Sequence, residues 1–354
     1  MKNAIVEKKI RVGILFGGKS AEHEISLLSA KNLVESINRD TYEVVLIGID
    51  KSGRWHKFEL TGRMNNTIFS SQTPVSDPIA QLQSVDVVFS ILHGSIGEDG
   101  AMQGLLKIAE TPFVGAGVLG SAVGMDKDVM KRLLRDADIP VCRFRVVTIS
   151  EEKNLNFQDI TKELGSILFV KPANMGSSVG VNRAVDSESF ERAVQDAFRY
   201  DRKIIIEEFI DGREIECSVL GNDEPIASLP GEVIPRSNFY SYHAKYIDEE
   251  GAQLDIPAKL PVDITKKIQA LSIRVFRTLC CEGMARVDFF LKPDGMILAN
   301  EINTLPGFTQ VSMYPKLWEV SGVNASELSD HLIQLALERG ERERQLATSY
   351  VPAI

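Results

Sequence analysis

Cysteine is scarce: the 354 residues hold four, Cys142, Cys217, Cys280 and Cys281, with no CxxC spacing. That excludes a disulfide framework and the paired-ligand spacing of structural zinc sites. The adjacent Cys280 and Cys281 lie in an apolar stretch and read as buried filler. Long apolar runs are missing too. The longest are strand-sized, so none can span a bilayer. The N-terminal MKNAIVEKKI lacks the apolar core of a secretory signal, and a cytoplasmic location is expected. Positive charge is in deficit, with 40 Lys and Arg against 49 Asp and Glu and a formal net charge of −9. No local basic run overrides that balance, so a nucleic-acid partner is not expected. The stretch 338–344 mixes both signs and reads as a solvated helix end. Repeats and low-complexity tracts are absent.

What is present suits several cores. Hydrophobic residues make up 44% and charged residues 25% of a chain long enough for two or three domains. Apolar runs at 10–16, 42–49 and 85–92 predict buried strands. Ile25, Leu28, Leu33, Val34 and Ile37 predict the inner face of a helix between the first two. This alternation argues an open parallel sheet whose ligands bind at the carboxyl ends of the strands, where the glycine loops 17–18 and 94–100 lie. The stretch from 50 to about 78 reads as polar and irregular. Further on, a helix is predicted at 125–139, with Met130, Leu133 and Leu134 inside, and strands at 167–172 and 203–209 around a helix at 187–199. A strand at 214–220 alternates polar and apolar residues as a half-solvated antiparallel strand does. The middle of the chain is therefore α+β. Residues 230–262 form a long, tyrosine-rich, irregular segment that reads as a lid. A helix at 263–281, strands at 284–291 and 296–302, and a final helix capped by Asn324 and Glu327 follow.

Two motifs mislead. GILFGGKS, from Gly13 to Ser20, formally matches a P-loop, but Gly13 falls inside the predicted strand instead of after it. GAGVLG, from Gly115 to Gly120, matches a dinucleotide fingerprint, yet the acidic residues downstream, Asp136 and Asp138, end a helix. Both read as tight turns into helices.

The C-terminal strands carry the densest chemistry. Side chains alternate along a strand, so Arg286 and Asp288 share a face, as do Glu301 and Asn303. Asp288 and Glu301 are thirteen positions apart. An even-numbered turn at 292–295 would bring all four to one face; a three-residue turn would put the two pairs on opposite faces. Two carboxylates, an amide oxygen and an arginine together describe a Mg²⁺ site shared with nucleotide phosphates. The competing reading is a solvated, salt-bridged hairpin. Asn303 runs into ThrLeuProGly, whose N–H groups suit an oxyanion. Lys171 ends a strand, and the GSSVG loop after it suits phosphates. Glu207, Glu208, Phe209 and Ile210 set carboxylates beside apolar groups, as an adenine pocket requires. Each signal is weak alone, but their ordered set points to activation of a carboxylate by ATP.

Seven segments occur in one order: GGKSAEHEIS (17–26), HGSIGEDG (93–100), MDK (125–127), VKPANMGSSVG (170–180), YSYHAKY (240–246), ARVDFF (285–290) and NEINTLPGFTQVSMYP (300–315). Together they resemble the ATP-grasp superfamily and, within it, the D-alanine–D-alanine ligase family, over nearly the whole chain. The resemblance implies an N-terminal α/β substrate-binding domain at 1–122 with an open parallel sheet. A pair of α+β ATP-grasp subdomains follows at 123–212 and 213–354, the second carrying the lid. It also implies ATP-dependent joining of two D-alanines through a D-alanyl phosphate, for peptidoglycan precursors, by a homodimer.

Carried over by residue, Glu22 would bind the ammonium of the first D-alanine, with His93 near its carboxylate. Lys127 and Lys171 would contact nucleotide phosphates, and Lys245 would reach the terminal phosphate from the lid. Glu207, Phe209, Ile210, Glu214 and Phe290 would surround adenine and ribose. Asp288, Glu301 and Asn303 would hold two Mg²⁺ ions, or Mn²⁺ in their place. Arg286 and the backbone of Gly307 would form an oxyanion site, and Ser312 and Met313 would meet the second substrate's carboxylate. Glu22, Ser177 and Tyr246 would form a triad that orders the lid. Tyr246 accompanies amine acceptors in the family, which implies a dipeptide product. His243 departs from the acidic residue that relatives often carry there. His23 and His243 read as solvated, and Met125 and Met130 as core. The alternatives are another ATP-grasp carboxylate–amine ligase, or a nucleotide-binding dehydrogenase built on the motif at Gly115.

Overall fold

The computed structural model describes residues 8–59, 72–235, 252–347 and 349. His243, Lys245 and Tyr246 lie outside the described residues.

The first sheet holds β1 (Ile10–Gly17), β2 (Tyr42–Ile49), β3 (Trp55–Phe58), β4 (Gln72–Pro74) and β5 (Val87–Ile91), in the order β4-β3-β2-β1-β5. β1 runs parallel to both β2 and β5, as its continuous apolar sequence requires of a strand covered on two faces. Val12, Ile14 and Phe16 enter one core, and Leu15 enters the other. β3 and β4 add antiparallel strands at one edge, so the sheet is parallel only from β2 through β1 to β5. These two strands lie in the stretch expected to be irregular, and a short helix α2 (Pro78–Gln83), the next after α1 (His23–Ser36), begins where that stretch ends. Their short sequences carry almost no periodicity.

Gly13 sits within β1 beside Val85, so the P-loop match is strand. Gly17, at φ +93°, has no room for a side chain, because a Cβ would lie 2.2 Å from the Ile49 carbonyl oxygen. The inner face of α1 differs from expectation: Leu28 is 54% exposed, while Ser26 and Ser29 are buried. Small hydroxyl residues let the helix approach the strand ends. There the Ser26 hydroxyl accepts from Gly17 N–H at 2.7 Å and donates to the Ile91 carbonyl.

After α3 (Ala101–Ile108), α4 (Val118–Met125) follows the glycine turn at 115–117 directly. The helix expected from residue 125 begins afresh as α5 (Lys127–Asp136), because the Asp126 carboxylate caps Asp128 and Val129. Met125 and Met130 are core, whereas Leu133 is exposed.

The second sheet, β6 (Phe144–Thr148), β7 (Leu168–Pro172), β8 (Asn182–Ala184) and β9 (Lys203–Glu208), is antiparallel in the order β6-β9-β7-β8. Its core includes residues of α6 (Phe157–Leu164) and α7 (Ser187–Phe198).

The third sheet comprises β10 (Arg213–Gly221), β11 (Ile226–Ala227), β12 (Gly231–Pro235), β13 (Ala252–Asp255), β14 (Gly283–Leu291) and β15 (Ile297–Asn303). β10 is buried along most of its length, not half-solvated, because it lies between β12 and β14. The expected lid segment begins and ends as the antiparallel pair β12–β13, which extends this sheet; residues 236–251 are outside the described ones. α8 (Val262–Thr278), α9 (Met313–Val320) and α10 (Ala325–Arg344) complete the chain, α10 carrying the Asn324–Glu327 capping box. Among the described residues no helix is long and apolar enough to cross a membrane. Cys280 is exposed, against expectation, since it falls in the turn that ends α8 at φ 54°; the other three cysteines are buried.

The hairpin β14–β15 turns through Pro293, Asp294 and Gly295, with Lys292 N–H donating to the Met296 carbonyl at 2.9 Å. That is the odd turn that should have separated the two acidic pairs. A β-bulge corrects the parity: Phe289 pairs with Ala299, but Asp288 pairs with Glu301 and Arg286 with Asn303, leaving Asn300 as the extra residue. All four side chains therefore share one face.

The first core is continuous with the C-terminal helices, joining Val12, Ile14 and Phe89 to Tyr314, Trp318 and Leu332. Arg339 of α10 reaches back over the Phe113 ring and donates to the carbonyls of Phe113 and Gly115, both at 2.6 Å. Arg339→Leu leaves those buried acceptors without their donor and should lower unfolding free energy by about 2–4 kcal/mol. Urea titration reads this as a lower midpoint, and an unchanged midpoint would contradict the role.

Candidate active site

A cavity of about 310 Å³ opens between the second and third sheets. Of the residues expected to hold a nucleotide, Lys127, Lys171, Glu207, Phe209, Ile210, Glu214 and Phe290 line it, together with Ser177, Asp288 and Glu301. One end is flat and apolar: Phe169, unforeseen, stacks on Phe209 with centroids 6.2 Å apart and planes 27° from parallel. The other end is charged.

There, Glu207 is clasped between two ammonium groups. Lys171 Nζ is 2.6 Å from one carboxylate oxygen, and Lys131 Nζ is 3.0 Å from the other. Burial alone would raise the Glu207 pKa, but the two lysines override it and hold the group down at about 2. Burial likewise opposes the charge on Lys171, and Glu207 more than compensates, keeping its pKa high. Lys127 differs. Burial and the neighbouring Lys171 and Lys131 lower its pKa, against the pull of Glu301 at 3.8 Å. Its ammonium donates to the Met175 carbonyl at 2.6 Å, which ties α5 to the loop after β7. In that loop Ser177, Ser178 and Gly180 all take positive φ, 54°, 58° and 68°. Such backbone turns N–H groups towards one side, as anion-binding loops do.

Across the cavity, Arg286 is 6% exposed and grips Asp288 with two bonds of 2.7 Å, and its Nε lies 2.9 Å from Glu216. These carboxylates hold its pKa well above the ordinary value despite burial. Asp288, Glu301 and Asn303 present only hard oxygen donors from one sheet face, so the donor chemistry fits Mg²⁺ or Mn²⁺.

The turn after β15 brings in the remaining residues. Gly307 lies against Ser312, whose Oγ would be 2.8 Å from a Cβ there. The Ser312 hydroxyl accepts from Thr309 N–H at 3.0 Å and so is engaged within its own turn. The Met313 side chain packs with Val233 and Leu317 in an apolar cluster.

From the first sheet, Glu22 and His93 arrive on the glycine loops. The Ser177 hydroxyl donates to Glu22, so two members of the expected triad touch; Tyr246 is outside the described residues. His93 is buried between Ser29, at 3.1 Å from Nε2, and the Leu305 carbonyl, at 3.2 Å from Nδ1. Burial would lower its pKa, but Glu98, 3.7 Å away, and Glu22 keep it raised. His23, expected to be solvated, is bonded to the Gly18 carbonyl.

Lys131, Glu216, Glu98 and Ser29 were missed from sequence. Two left a trace: Lys131 is one helical turn beyond Lys127, and Glu216 is two residues beyond Glu214 on the same strand face.

Glu207 generates a pH prediction. Its folded-state pKa lies below its ordinary 4.5, at about 2. The stability it adds is therefore present above about pH 4.5 and lost as pH falls through about 2, a difference of roughly 3 kcal/mol. Unfolding free energies measured by denaturant down this range should fall more steeply for the unsubstituted chain than for Glu207→Gln. Parallel curves would contradict the clasp.

Known proteins match the chain over both of its halves. Residues 11–116 match the family described as D-ala D-ala ligase N-terminus, and residues 133–334 match D-ala D-ala ligase C-terminus. A D-alanine–D-alanine ligase of Oceanobacillus iheyensis is 50% identical, over 96% of this chain and 99% of its own. D-alanine–D-alanine ligase A of Escherichia coli is 48% identical, over 97% and 100%. Among solved structures, the D-alanine–D-alanine ligase of Coxiella burnetii superposes with a TM-score of 0.85 at 38% identity, over 95% of this chain and 96% of that one. A D-Ala:D-Ser ligase from Enterococcus faecalis gives 0.83 at 35% identity, over 93% and 100%. With both halves matched in order and the ATP-grasp architecture in place, the chain belongs to the D-alanine–D-alanine ligase family.

Proposed function

We propose that this chain joins two molecules of D-alanine at the expense of ATP, giving D-alanyl-D-alanine, ADP and phosphate. The single observation that supports this best is the shared face of Arg286, Asp288, Glu301 and Asn303 opposite the Lys171–Glu207 pair and the 174–180 loop. In this proposal adenine lies in the apolar slot by Phe209, Ile210 and Phe290, with Glu207 and Glu214 at its rim and at the ribose. Phosphates meet Lys127, Lys171 and the loop. Lys245, outside the described residues, is assigned to the terminal phosphate on the strength of its motif. Asp288, Glu301 and Asn303 would hold two Mg²⁺ or Mn²⁺ ions, which neutralise phosphate oxygens that would otherwise repel an incoming carboxylate.

Two steps follow. A carboxylate oxygen of the first D-alanine, whose ammonium is held by Glu22 near His93, attacks the γ-phosphorus; the bond to ADP breaks and an acyl phosphate forms. The amine of the second D-alanine, seated at the backbone of Ser312 and Met313, then attacks the acyl carbon. Arg286 and the Gly307 N–H stabilise the tetrahedral oxyanion, and phosphate leaves. Glu216 gives Arg286 a second carboxylate partner while Asp288 serves the metal. The acyl phosphate would hydrolyse in water, so closure by the segment 230–262, ordered by Glu22, Ser177 and Tyr246, excludes solvent. Tyr246 supports an amine acceptor, hence a dipeptide.

The three sheets support a division at 1–122, 123–212 and 213–354. A homodimer in the cytoplasm, making peptidoglycan precursor and binding no nucleic acid, fits the family and the net charge of −9. Phosphate release from ATP with Mg²⁺ should be stimulated by D-alanine and not by L-alanine or D-lactate; equal stimulation by all three would overturn the assignment. Arg286→Ala should lower the rate by at least about 10²-fold, and a rate near that of the unsubstituted enzyme would remove Arg286 from the oxyanion site.

A further inference from the structure

Lys131 has no part in the reaction above, yet it is a fully buried ammonium. It lies behind Glu207 and is not among the residues that line the cavity, so a nucleotide there would not meet it. A buried lysine is costly, and an apolar side chain of similar length would fill its place at lower cost. Its contacts are the rear oxygen of Glu207 at 3.0 Å and the Cys142 sulfur at 3.3 Å. The thiol is itself buried and carries no charge to balance, since burial pushes its pKa up.

The charge count across this cluster is decisive. Lys171 and Glu207 alone would make a closed pair of zero net charge, with the ammonium drawn onto its own carboxylate. Lys131 supplies a second cation to the same carboxylate, so the trio carries one net positive charge, and Lys171 is the member that faces the cavity. We infer that Lys131 is a positioning residue for nucleotide binding: by neutralising Glu207 from behind, it leaves the Lys171 charge available to a phosphate. This rests on the nucleotide site proposed above and adds a residue that never meets the ligand.

The test is isothermal titration of the full-length chain with ADP and Mg²⁺, using K131M, K131R, E207Q and the double variant K131M/E207Q. K131M should bind ADP at least about tenfold more weakly, whereas K131R, which keeps the cation, should stay within about threefold of the unsubstituted chain. In turnover, K131M should raise the KM for ATP while leaving kcat and the KM for D-alanine within about threefold. The double variant removes one charge of each sign and restores the single net positive charge. It should bind ADP within about threefold of E207Q, which carries the same loss at the adenine, because without Glu207 the Lys171 charge needs no second cation; lost packing at Lys131 cannot produce that outcome.

Equal ADP affinity in folded K131M and the unsubstituted chain overturns the proposal alone, as does a double variant that binds ADP about tenfold more weakly than E207Q. If K131M does not fold, the double variant decides: a tenfold loss in it relative to E207Q overturns the proposal. An unsubstituted chain that fails to bind ADP would overturn the nucleotide site and this inference together.

Discussion

The bulge at Asn300 turns the outer part of β15 over, and the candidate site depends on that reversal. Upstream of the bulge Leu291 faces Ile297 and Phe289 faces Ala299; beyond it Asp288 faces Glu301 and Arg286 faces Asn303. A strand has a side-chain period of two, so one inserted residue moves every later side chain to the other face. Without it the three-residue turn at 293–295 would send Glu301 and Asn303 away from Asp288. With it, Asp288 and Glu301 line the cavity between the second and third sheets, and Arg286 and Asn303 share their face.

Bringing these groups together out of water is costly, and the structure shows how the cost is contained. Four cations, Lys127, Lys131, Lys171 and Arg286, are interleaved with four carboxylates, Glu207, Glu216, Asp288 and Glu301. Desolvation of so many charges is rarely recovered in full by their mutual attraction, so the cluster is weak evidence for stability and better explained by ligands of opposite and equal sign. Arg286 illustrates the point. In this arrangement both of its carboxylate partners hold it, and only a cation competing for Asp288 or an oxyanion competing for Arg286 would loosen that grip. The contact between Ser177 and Glu22 adds a mechanical element, because it ties the 174–180 loop to the glycine loop after β1.

Much of this was legible in the sequence, and the rest was not for definable reasons. Strands β1, β2 and β5 announce themselves as continuous apolar runs, and the Asn324–Glu327 box fixes the start of α10. Lys171, the GSSVG loop and the Arg286-Asp288 pair were readable because their spacing follows the strand period. The bulge was not, since its effect is a parity set by a single residue. The inner face of α1 was misjudged because hydrophobicity favours Leu28, while close approach to the strand ends favours Ser26 and Ser29. Lys131 was hidden by the general rule that lysines face solvent. It is buried only because Glu207 arrives from β9, over 70 residues later, which no local pattern records.

Carboxylate activation by phosphoryl transfer is the claim on which the account turns, and isotope transfer tests it directly. With D-alanine labelled by ¹⁸O in its carboxylate, attack on the γ-phosphorus carries one labelled oxygen into the acyl phosphate. Cleavage by the second amine then releases that oxygen with phosphate. Mass spectrometry of the phosphate should find one ¹⁸O atom for each dipeptide formed. Unlabelled phosphate, with its new oxygen drawn from water, would mean that ATP is hydrolysed without activating D-alanine, and would contradict the chemistry proposed for this site.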